Sequence, residues 1–138
     1  MNKRTQATYR TQVLQNATGP ELVAACFREA QTQLAEARRQ IEAGTAASSY
    51  GPLERVRKIY THLYGTVDLE QGGEMATSMQ SLYAYVIERT MTVASSYDVE
   101  MLSLLEKINT DMLGAWSKVS VRETPSAPPS AGPVRVRA

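Results

Sequence analysis

What is scarce in this 138-residue chain narrows what it can be. There is one cysteine, Cys26, so no internal disulfide can form, and a reducing cytoplasm is the natural compartment. There is one histidine, His62, and no Glu-x-x-His pair, so the carboxylate-bridged metal bundle that some helical proteins carry is not available. No run approaches the roughly 18 apolar residues that a membrane-spanning helix needs, so membrane insertion is not expected. The opening stretch MNKRTQATYRTQ carries charge without an apolar core and is not expected to be a secretory signal. Gly72-Gly73 is too short to cradle a phosphate, and no strand precedes it. Enzyme chemistry, a metal and a cofactor are all unexpected on this inventory.

A large excess of positive charge is also missing from the body of the chain. The formal charge is +1, yet the first 18 residues hold Lys3, Arg4 and Arg10 with no acid. Residues from 120 onward hold Arg122, Arg135 and Arg137 against Glu123, which leaves the segment between mildly acidic. Phosphate recognition needs a basic face on the folded domain, so nucleic acid is not an expected partner.

What is there is helical periodicity. Residues 1–17 are polar apart from Tyr9, Val13 and Leu14 and read as an extended or loosely helical arm. Thr18-Gly19-Pro20-Glu21 has the pattern of a capping box, with Pro in the first turn where its missing N–H costs nothing. Leu22, Val23, Cys26, Phe27, Ala30, Leu34, Ala37 and Ile41 follow at threes and fours, the stripe of one helix face, and Gly44 suits a left-handed cap. A second helix opens after Gly51-Pro52, carries Leu53, Val56, Ile59, Tyr60, Leu63, Tyr64 and Val67, and is expected to stop near Gly72-Gly73. A third carries Met75, Met79, Leu82, Tyr83, Val86, Ile87, Met91 and Val93 up to Ser95-Ser96-Tyr97. Asp98 then caps a fourth, with Met101, Leu102, Leu105, Ile108, Met112, Trp116 and Val119. The expected fold is all-α, an antiparallel up-down four-helix bundle over residues 18–120. An N-terminal arm (1–17) precedes it, and a disordered Pro/Ser/Ala-rich tail (121–138) follows.

The middle two helices are richer in apolar residues than a bundle requires. About three positions per seven suffice to face a core. Helix two has seven of fifteen from Leu53 to Val67, and helix three carries a second stripe, Tyr83, Ile87 and Met91, beside its first. Two readings stay open: a generously filled core, or a groove left exposed for a partner. Tyrosine and methionine suit a groove, one for its amphipathic ring and the other for its adaptable shape.

The segment Thr66-Val67-Asp68-Leu69-Glu70-Gln71-Gly72-Gly73-Glu74-Met75-Ala76, followed by Leu82-Tyr83-Ala84-Tyr85, resembles the signature runs of the flagellar export chaperone family FliS. Tyr9, Leu14, the run Ala17 to Leu22, and Ala115-Trp116 are similar to further family positions, in order along residues 9–119. The resemblance implies a cytoplasmic chaperone that binds the disordered C-terminal segment of flagellin, prevents premature polymerisation and releases its client to the flagellar export gate. It also implies a displaceable arm over the groove, here Tyr9 to Leu14. The partner-binding residues it points to are Tyr9, Val13, Leu14, Tyr60, Leu63, Tyr64, Val67, Leu82, Tyr83, Val86 and Ile87. It assigns Asp68, Gly72 and Gly73 to the turn between helices two and three. A monomer or weak dimer is expected. The competing reading is a helical adaptor or self-associating bundle with another export or regulatory client, its spare face covered by a second copy.

Overall fold

The computed structural model describes residues 19–123, and the side chains of 19–119. The arm, with Tyr9, Val13, Leu14 and the capping residue Thr18, and the tail from 124 onward lie outside the described residues. Among the described residues four helices carry the fold: α1, Gly19–Glu42; α2, Tyr50–Thr66; α3, Leu69–Ser96; and α4, Val99–Glu123. A 3-10 turn, Ala46–Ser49, joins the first two, and no strand occurs among the described residues.

The turns follow from local chemistry. Gly44 sits in the left-handed region (φ 86°), and its amide donates to the Ile41 carbonyl while the Thr45 amide donates to that of Gln40. That pairing satisfies two of the carbonyls in the last turn of α1, and a side chain at Gly44 would strain it. α2 stops earlier than the glycine pair suggests. Val67 turns extended (φ −71°, ψ 129°), and Asp68 Oδ1 accepts from the amides of Glu70 and Gln71, both at 3.1 Å. A carboxylate that satisfies two first-turn donors starts a helix more firmly than two glycines end one. Gly73 instead breaks α3 after its first turn, at φ 57°, ψ −134°, a backbone that only glycine adopts readily. At the far end Tyr97 is itself left-handed (φ 57°), and Asp98 Oδ1 accepts from the Met101 amide to open α4.

The chain divides into one compact unit of residues 26–111 and another formed by 1–25 with 112–138. In the second, Ala24 is buried, and Leu22, Val23, Met112, Leu113, Trp116 and Val119 are half-buried. The first contains a stretch of every helix and is an antiparallel four-helix bundle. Phe27 and Gln31 of α1 meet Asn109 of α4, whereas Arg38 further along α1 meets Glu106 further back on α4. Gln33 of α1 likewise accepts from Arg55 of α2, and Tyr60 of α2 meets Tyr83 of α3.

Its centre is aromatic. Phe27, Tyr60 and Tyr83, one from each of α1, α2 and α3, are buried and pack ring to ring, with centroids 5.8 to 6.4 Å apart. The two Tyr60 contacts are edge-on, the favoured arrangement for such rings. α4 joins through Asn109, which is fully buried. Its Oδ1 accepts from the Tyr60 hydroxyl at 2.7 Å, and its Nδ2 donates to the Phe27 carbonyl and to Gln31 Oε1, each at 2.9 Å. Burial raises the Tyr60 phenol well above its ordinary range and pushes Tyr83 up to about 12, so both hydroxyls stay neutral. Nearer the surface, Arg38 donates to Glu106, Ser103 and Glu42 and pins α1 to α4. Small residues Ala30 and Ala37, both fully buried, let the other helices approach α1.

Asn109→Leu would leave the Tyr60 hydroxyl buried without an acceptor, at a cost of about 1–3 kcal/mol. Urea denaturation should show that loss, and the Tyr60→Phe, Asn109→Leu double variant should recover part of it. Equal stabilities for wild type and Asn109→Leu would mean that the network does not hold the bundle.

Candidate functional site

Conventional reactive groups are sparse in the folded part. Cys26 is buried, and burial raises its thiol pKa away from the reactive thiolate. His62 is exposed on α2. Among the described residues no three His, Cys, Asp or Glu side chains gather where they could hold a metal ion. No helix there is long and apolar enough to cross a membrane. What the surface offers instead is apolar area.

The residues singled out on α2 and α3 separate into two sets. Tyr60, Leu63, Tyr83 and Val86 are enclosed by the chain itself, at 0 to 2% exposure. Tyr64 is 39% exposed, and Val67, Leu82 and Ile87 are half-buried. The reason is helical phase. On α2, Leu53, Val56, Tyr60 and Leu63 take the core, which turns Tyr50, Arg57 and Tyr64 to the flank. On α3, Ala76, Tyr83, Val86, Thr90 and Val93 take the core, and Met75, Leu82, Ile87 and Met91 fall to either side.

Spare apolar surface is therefore present, though on partly different residues. Met75 is 71% exposed, Tyr50 61%, Met91 58% and Leu69 47%. Between α2 and α3 a groove of about 430 Å³ is lined by Tyr50, Leu53, Glu54 and Arg57 on one side and Thr90, Met91, Ala94 and Ser95 on the other. Its floor is Leu53 and Thr90, and its rim pairs the two exposed apolar side chains with the Glu54–Arg57 ion pair. That ion pair holds the Glu54 carboxyl below its usual range and keeps the rim charged. An apolar floor with a polar rim accepts one face of an amphipathic helix. Tyr50 and Met91 were not singled out from sequence as contacts. Tyr50 stands beside Gly51-Pro52 and reads as loop, although it opens α2, and Met91 reads as one more member of a stripe.

Arg89 was missed as well. Its guanidinium lies over the Tyr85 ring, 4.7 Å from the centroid, and its Nε is buried with no hydrogen-bond partner. The cue in the sequence is a lone arginine four residues after a tyrosine on one helix face.

Comparison with known proteins gives the chain a family. A family model described as flagellar protein FliS matches residues 1–123. The Flagellar secretion chaperone FliS of Salmonella typhimurium is 27% identical over 106 residues, which cover 76% of this chain and 78% of that protein. With a match that takes in the whole helical body, this chain belongs to the FliS family of flagellar proteins.

Proposed function

We propose that this chain is a cytoplasmic flagellar secretion chaperone. It holds the disordered C-terminal segment of flagellin, keeps it from polymerising and yields it to the flagellar export gate. The observation that carries this reading is exposed apolar area, Tyr50, Tyr64, Leu69, Met75 and Met91, concentrated on the two middle helices. The relative in Salmonella typhimurium, named as a flagellar secretion chaperone, supports it.

The client folds on binding, laying the apolar faces of short helices against α2 and α3. Tyr64, Val67, Leu82 and Ile87 contact it directly, together with Tyr50 and Met91 at the groove. Tyr60, Leu63, Tyr83 and Val86 act from behind, as the packed wall that fixes those contacts in place. Ordering the client costs about 2–5 kcal/mol, which the apolar burial must exceed. Tyr9, Val13 and Leu14 of the arm compete with the client for this surface. Binding of this kind is reversible, so the export gate can take the segment.

Titration calorimetry of the full chain with a peptide copying its own organism's flagellin C-terminal segment should give one-to-one binding and a clearly negative heat-capacity change. Absence of binding heat at two temperatures, with the protein folded, would end the proposal. Met75→Lys and Met91→Lys should each change folding stability by no more than about 0.5 kcal/mol, being exposed. Together they should weaken the peptide at least tenfold; unchanged affinity would move the contact surface elsewhere. Removing residues 1–14 should leave the helical circular dichroism signal in place and tighten the peptide's binding, whereas unfolding would show the arm to be core.

A further inference from the structure

The arginines of this bundle are not treated alike. Arg38 donates to Glu106 and Glu42, Arg39 pairs with Glu36, and Arg57 pairs with Glu54. Arg89 meets no carboxylate among the described residues, and its Nε is kept from water with nothing to accept from it. Its neighbour Glu88 cannot serve, because adjacent residues on a helix point in different directions. With Nε screened from a partner as it is from water, an arriving carboxylate would meet the guanidinium through its terminal nitrogens, giving a partly desolvated cation the acceptor it lacks among the described residues.

Two features make Arg89 ready for such an acceptor. The Tyr85 ring beneath the guanidinium holds its plane and limits the side chain's freedom, so less entropy is lost when a partner binds. Leu82, Tyr85 and Arg89 also share one face of α3, all half-buried, so the cation stands at the edge of apolar surface. A planar guanidinium beside an apolar patch fits an amphipathic segment that places an acid next to its apolar face, through a two-pronged hydrogen bond.

We propose that Arg89, steadied by Tyr85, recognises an aspartate or glutamate side chain on the bound segment, whose adjacent apolar side chain rests on Leu82. This rests on the client reading given above and adds a register to it. Apolar contacts alone tolerate sliding by a helical turn, whereas one buried-edge ion pair admits a single alignment.

The test uses the full chain and the same flagellin C-terminal peptide, with each acid of the peptide replaced in turn by its amide. Arg89→Gln should weaken wild-type peptide about tenfold, and Arg89→Lys should recover only part, having charge without the planar fork. One amide replacement should weaken binding to the wild-type chain about as much, and should cost nothing further against Arg89→Gln. If Arg89→Gln binds as wild type, or no amide replacement matters, the inference is overturned while the client reading stands. Should the wild-type chain not bind the peptide at all, both fall. Should Arg89→Gln fail to fold, the amide series against wild type decides alone. Self-association that Arg89→Gln abolishes, with peptide affinity unchanged, would assign the arginine to a second copy and overturn the inference.

Discussion

The Tyr60 hydroxyl, sealed inside the bundle, can be satisfied only by Asn109, and Asn109 in turn needs the Phe27 carbonyl and Gln31. This chain of hydrogen bonds ties α2, α4 and α1 at one level, while the Tyr83 ring against Tyr60 and Phe27 adds α3. Apolar packing alone would let helices slip or rotate at little cost, but a polar network buried among rings has one arrangement in which every donor is met. The rotation of each helix is set there. Once Tyr60 and Tyr83 are fixed inward, Leu53, Val56, Leu63, Val86 and Val93 follow them into the core, and Tyr50, Tyr64, Met75 and Met91 are left facing outward. The exposed surface on which the proposed function depends is thus a consequence of the buried one.

Much of the helical framework was legible in the sequence, because spacing and turn chemistry are local. Gly44 as a left-handed cap, Asp98 at the start of α4 and the stripe through Phe27, Ala30 and Leu34 are set by a few neighbouring residues. The connection between α2 and α3 was less legible. Gly72-Gly73 announces a break, yet Asp68 starts the new helix first, and Gly73 bends it afterwards. A Cβ on Gly72 would come within 2.5 Å of that of Ala76, so this glycine serves close packing rather than termination.

Which apolar residues would be hidden was not legible. Tyr60 and Tyr64 differ by one helical turn and look equivalent in a list, yet one is fully buried and the other 39% exposed. The difference lies in partners far along the chain: Asn109 sits where an apolar side chain would continue the stripe after Leu105, and nothing local says that its amide meets a tyrosine hydroxyl. The same holds for Arg89, whose buried Nε lacks an acceptor because of how the described helices pack. Membership of the FliS family was carried by the ordered motifs, and the matched residues 1–123 take in all of them.

The central claim is that the open apolar flank of α2 and α3 becomes covered when a flagellin C-terminal segment binds. Methyl NMR of methionine-labelled protein with a soluble paramagnetic agent reads that coverage side chain by side chain. The Met75 and Met91 methyls should be strongly broadened in the free protein and protected once the segment is added. If both stay as accessible in the complex as in the free chain, the client lies elsewhere and the account is contradicted.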